Sequence, residues 1–162
     1  MAPMVVDPNR VRAFVDATAF GDWLADRHDT EREVWIRVFK VGSGVASVSW
    51  KDAIPEAIAW GWIDGVRKSL DDASFLQRFT PRGPKSSWSE INVAHAERLI
   101  AEGRMSPSGL KQVEAARADG RHHLAAIDHG RGVEIAHRRL VDHIDQHPGR
   151  AGRAGRRLQE DL

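Results

Sequence analysis

Residues 61–89 read GWIDGVRKSLDDASFLQRFTPRGPKSSWS. Trp62–Lys68 and Phe75–Thr80 are short runs with β-forming and aromatic residues, joined by the turn-rich SLDDAS. The spacing predicts a hairpin with a four-to-six-residue loop. PRGP at 81–84 then blocks regular structure. Working outward, EVWIRVFK at 33–40 alternates Val34, Ile36 and Val38 with Trp35, Arg37 and Phe39. It reads as a strand covered on both faces.

Helices fill the intervals. Thr18 is placed to cap a helix over Ala19–Arg27, with Phe20, Trp23 and Leu24 on one side. GSG at 42–44 is a turn, too short for a phosphate loop. The next helix opens at Ser49 or Asp52. Asp52 is the better start, because it leaves Pro55 in the first turn rather than the interior. Ser87 with Glu90 forms a capping box for a helix to about Glu102. Ser106 and Pro107 open a last one, to about Ala118. The fold class is α+β: a small, mainly antiparallel sheet of about three strands packed by helices, with a C-terminal helical pair. Trp35, Trp60 and Trp62 are the expected glue between layers.

The composition changes near residue 121. All six tryptophans and five phenylalanines lie at or before Trp88, whereas six of the eight histidines follow Gly120. This divides the chain into an N-terminal extension (1–17), an α+β domain (18–120) and an Arg/His/Gly-rich tail (121–162), partly helical or disordered. A helix through Val133, Ala136, Leu140 and Ile144 would fit that tail. Its histidines lack a carboxylate–histidine motif, so neither a metal nor any other cofactor is expected.

The net charge of +1 offers no overall field for nucleic acid or anionic membrane. The absence of cysteine excludes disulfides, thiolate zinc sites and a cysteine nucleophile. The start, MAPMVVDPNRVRAF, has neither a signal-peptide core nor a membrane span, so a cytoplasmic location is expected.

Candidate chemistry concentrates in the opening stretch. Strand alternation puts Arg78 opposite in face to Phe75, Gln77 and Phe79. Arg78 and Arg82 then converge at the start of the Ser87 helix, where free N–H groups favour an anion. The candidate ligand-binding set is Lys40, Asp64, Arg78, Arg82, Ser87 and Trp88, with a small anionic ligand. A competing reading pairs Asp64 with Arg78 across the hairpin and needs no ligand. Two other classes remain open. One is an enzyme of unknown chemistry using Asp64 with Arg78, with His95 as a weaker candidate base. The other is a weak nucleic-acid-binding module in which Arg side chains alternate with Trp35, Phe79 and Trp88. No GxSxG, HExxH, P-loop or dinucleotide fingerprint occurs.

Four segments together, VWIRVFKVGSGVASVSWKDAI, GWIDGVRKSLDD, FLQRFTPRGPKSSWSEIN and RLIAEGRMSPSGLKQVEAARADGR, span roughly Phe20–Arg121. In this combination the chain resembles the YdeI/OmpD-associated family, also called bacteriocin-protection proteins. The resemblance implies a part in tolerance of bacteriocins or other antimicrobial peptides under envelope stress, without an established reaction. The family name also points to a porin partner, against which the lack of an export signal argues. Pro55 departs from the pattern, and the resemblance stops after Arg121, as a truncated or altered reading frame would produce.

Overall fold

The structure, a computed structural model, describes residues 4–120; the tail expected over 121–162, with its partial helix, lies outside them. Its elements are β1 (Val11–Arg12), α1 (Ala17–Arg27), β2 (Val34–Phe39), α2 (Trp50–Ala59), β3 (Trp62–Ser69), β4 (Ser74–Pro81), α3 (Glu90–Ala101) and α4 (Pro107–Ala118). The sheet order is β1-β2-β4-β3. β4 pairs antiparallel with both β2 and β3, and β1 lies parallel to β2. The architecture is α+β: a four-stranded mixed sheet packed with four helices, the last two C-terminal. The strand beyond the three expected is β1, from the segment read as an extension; its two residues are too few to show an alternation.

Two helix starts differ from the sequence reading, and a third falls on the less favoured of its two candidates. Asp16, not Thr18, caps α1 by accepting from the Ala19 N–H at 2.8 Å. Ser49, not Asp52, caps α2, accepting from the Asp52 N–H at 3.1 Å and donating to its carboxylate at 2.8 Å. Pro55 therefore lies inside the helix. The carbonyl it leaves without an N–H belongs to exposed Lys51. Ser89, not Ser87, caps α3. Ser87 cannot serve because its peptide is committed elsewhere: its carbonyl accepts from Arg82 Nη1 at 3.0 Å, ahead of buried Trp88. The Ser106–Pro107 start of α4 agrees with the sequence.

α2 is the central helix. Ala53 and Ala57 face the sheet, where they join Phe20, Leu24, Val34, Ile36, Val38, Val48, Trp62 and Phe79. Ile54 and Ile58, one residue on, face α3 and α4 with Trp88, Val93, Leu99 and Val113. Trp60 borders both groups. Aromatic edges lock the first: Phe20–Phe79 centroids are 5.2 Å apart and Trp23 meets Trp62 edge-on at 5.8 Å. Phe20, Phe79 and Trp62 are fully buried and each contributes about 1.5–3 kcal/mol, whereas Trp23 is partly buried.

The other sheet face carries partly exposed Arg37, Lys68 and Arg78 around buried apolar residues. Trp35 is fully buried there. Its indole N–H donates to Glu33 at 3.1 Å, as does Arg78 at 2.5 Å. Lys68 reaches the Met4 carbonyl. Arg37 pairs with Asp71 at 2.9 Å and lies over the Phe39 ring.

Two glycines set the turn where α2 meets α4. Gly61 has φ +75 between α2 and β3, and a Cβ there would lie 2.9 Å from the Ser108 carbonyl. A Cβ on Gly109 would lie 2.4 Å from the Ala59 carbonyl. The Ser106 N–H donates to that same Ala59 carbonyl at 3.0 Å. The end of α2 and the start of α4 thus touch backbone to backbone.

Glu56 of α2 also reaches back over Gly21 of α1, where a Cβ would sit 2.5 Å from its carboxylate. Burial raises its pKa, outweighing the lowering by Arg104 at 2.9 Å. A raised carboxyl pKa means that the folded protein holds its proton to higher pH than the unfolded chain. Stability therefore falls as pH rises from about the ordinary value of 4.5 through the folded value.

Gly109→Ala gains about 1 kcal/mol of helix propensity, yet it should lose about 1–3 kcal/mol net from the overpacked contact. A lower urea midpoint at unchanged slope is expected; an unchanged or higher midpoint contradicts the contact. Glu56→Gln should be more stable than the parent at neutral pH. In a urea series from pH 7 to pH 3, that advantage should vanish at the acid end; an advantage that persists there contradicts the burial account.

Candidate functional site

The six residues singled out from the sequence do not form one hollow. Arg78 projects from β4 to the polar sheet face and is neutralised by Glu33. Arg82 is buried on the helical side, its guanidinium 3.7 Å above the Trp88 ring. That ring packs with α2, α3 and α4. The expected convergence of the two arginines is thereby corrected: each has its own partner in a different layer. Arg82, Ser87 and Trp88 do come together, as a clamp holding the loop before α3.

Lys40 is exposed beyond the end of β2. The register sets Arg78 against Trp35, five residues before Lys40 along the chain, or about 17 Å away at a rise of about 3.3 Å per residue. Asp64 stands opposite Phe79, not Arg78, and the ladder shifts register between Asp64 and Arg67. Its carboxylate accepts from the Trp50 indole at 3.3 Å. Asp64 and Arg78 therefore do not act as a pair. His95 lies half-buried on α3 with Arg98 at 3.3 Å, and burial first, then that guanidinium, lowers its pKa. Among the described residues no group of three His, Asp or Glu is arranged to hold a metal.

A different place gathers polar groups around a cavity. His28, Asp29, Trp60, Gly61, Trp62, Pro81, Ser108, Lys111 and Gln112 line a cleft of about 230 Å³. α4 supplies one wall: Ser108, Lys111 and Gln112 stand three and four residues apart, on one helix face. The turn at Gly61 supplies the floor, and its lack of a side chain keeps the cleft open at the Ser108 end.

His28 closes α1 and forms the opposite side. Its Nδ1 lies 2.9 Å from the Leu24 carbonyl, one turn back. A carbonyl only accepts, so Nδ1 carries the proton and donates. In the neutral ring Nε2 is then the acceptor, and the Ser108 hydroxyl, 3.1 Å away, donates to it. The ring is held further by Trp60, with centroids 4.7 Å apart. The Trp62 indole donates to the His28 carbonyl at 3.3 Å. Position, tautomer and ring plane of this imidazole are all specified by neighbours.

Sequence reasoning missed this group because its signal is not local. His28 and Ser108 are 80 residues apart. His28 falls where a helix ends, and Ser108 where one begins, positions that polar residues occupy for capping alone.

Residues 12–112 match the model of a family described as Domain of unknown function (DUF8412). No curated protein and no solved structure matches the chain. The matched span runs from β1 into α4, covers more than half of the chain and contains every residue lining the cleft. The chain belongs to the DUF8412 family.

Proposed function

We propose that this domain binds a small polar ligand in the cleft between the end of α1, the Gly61 turn and the start of α4. The observation that carries the reading is the lining. A hydroxyl–imidazole pair, an amide, one ammonium and one carboxylate surround an indole-walled cavity. Apolar walls with a few convergent polar groups are the usual make-up of a ligand site. At about 230 Å³ the cavity is smaller than the roughly 300–1,000 Å³ of drug-sized sites. It suits a metabolite or a short acyl or amino-acid fragment. With Asp29 and Lys111 both present, a zwitterion or a neutral polar molecule fits better than a bare anion.

The physiological half of the proposal is tolerance of bacteriocins or related antimicrobial peptides in the cytoplasm. Its support is the WIDG, QRFTPR and LIAEGRM motif combination. No helix among the described residues is long and apolar enough to cross a membrane.

A thermal-shift panel of amino acids, short hydroxy acids and their amides tests the binding reading. A binder present at 100 times its Kd adds about 2.7 kcal/mol and should raise Tm by several degrees. Lys111 is exposed, so Lys111→Ala should fold normally and weaken a carboxylate-bearing binder about tenfold. The reading fails if no compound shifts Tm at millimolar concentration, or if a shift is indifferent to Lys111→Ala and to a bulky Ser108→Leu change.

A further inference from the structure

Building on the cleft as a ligand site, we propose that Ser108 is a nucleophile and His28 its general base, acting on the acyl carbon of a small ester. Three observations meet at this pair. The first is the tautomer. The Leu24 carbonyl fixes the Nδ1 proton, leaving the Nε2 lone pair on the Ser108 hydroxyl at 3.1 Å. A nucleophile and base within hydrogen-bond reach, with the base oriented by a third group, is the arrangement such chemistry needs. Here the orienting group is a backbone carbonyl rather than a carboxylate.

The second is access. Both residues are only partly buried and line the same cavity, so a reacting carbonyl can approach the hydroxyl. The third is the field. Proton transfer from Ser108 to His28 creates an imidazolium beside a developing oxyanion. His28 sits at the C-terminal end of α1, which favours positive charge, and Asp29 lies next to it. Ser108 sits in the first turn of α4, which favours negative charge. Lys111, three residues after Ser108 on α4 and lining the same cleft, adds a cation to that wall. The two helix ends therefore stabilise the charge-separated state in the direction that the reaction requires.

The step balances within the cleft. Ser108 Oγ bonds to the acyl carbon as Nε2 takes the hydroxyl proton, and the carbonyl π pair moves onto oxygen. That pair then returns, the bond to the leaving oxygen breaks, and the leaving alkoxide takes the proton from Nε2. Water, deprotonated by Nε2, attacks the acyl-serine. Its collapse releases a carboxylic acid and returns the proton to Ser108. Ester and water give acid and alcohol, and no redox partner is required.

The test uses the full chain with p-nitrophenyl acetate as substrate and a small fluorophosphonate as label. Wild type should release nitrophenol above the buffer rate and take one phosphonyl group, mapped by mass spectrometry to Ser108. Ser108→Ala should lose both, with turnover down at least about 100-fold, and His28→Gln should lose turnover similarly. His28 also closes α1, so the deciding variant is Ser108→Ala, which removes a single hydroxyl. Turnover retained in Ser108→Ala, or a label on any other residue, overturns the proposal. So does absent labelling in a protein whose Tm still rises with a cleft binder. That last result leaves the binding reading standing and makes the pair a structural tie. Absent labelling together with no binder sinks both.

Discussion

The close approach of two backbones, at the end of α2 and the start of α4, is the constraint from which the rest of this molecule follows. The Ala59 carbonyl receives the Ser106 N–H and lies against Gly109, while Gly61 lies against the Ser108 carbonyl. No pair of ordinary side chains permits that distance. The contact does two things at once. It seals the second core cluster, because α4 can bring Val113 and Ala116 onto α2 only at this separation. It also places the first turn of α4 beside the last turn of α1, which makes the cleft. Stability and site share one joint, so changes that loosen the packing there also move Ser108 away from His28.

Much of the architecture was legible in the order of the elements. Alternation in β2 and the loop composition between β3 and β4 identify the hairpin and its neighbour, and the Ser106–Pro107 pair marks α4. Errors fell where several capping residues compete. Asp16 against Thr18, Ser49 against Asp52, and Ser89 against Ser87 are chemically equivalent choices. What decides each is tertiary: which peptide is free to turn after the buried side chains have been anchored. Pro55 misled because it is accommodated inside α2, where the residue whose carbonyl it leaves without an N–H, Lys51, is exposed. β1 was invisible because two residues have no period.

The candidate site was legible only in its ingredients. An arginine in a strand announces its charge but not its partner. Arg78 found Glu33 across the sheet, and Arg82 found the indole of Trp88, beyond the loop that follows it. Both are therefore committed to structure, in keeping with the tendency of buried guanidinium groups to be paired or stacked. His28 and Ser108, by contrast, look like cap residues in the chain. Only the Gly61–Gly109 joint brings them together, and glycines give no hint of which surfaces they allow to touch.

The acyl-transfer chemistry inferred for the cleft depends on a lone pair at Nε2 of His28, so the tautomer of that ring is the quantity to measure. Two-dimensional NMR of the histidine ring nitrogens, with ¹⁵N-labelled protein above the pH at which free imidazole titrates, reads it without substitution. A single Nδ1–H form is expected for His28, with Nε2 unprotonated and its shift altered in Ser108→Ala. A predominant Nε2–H form, or the averaged signal of a freely exchanging ring, contradicts the proposed pair.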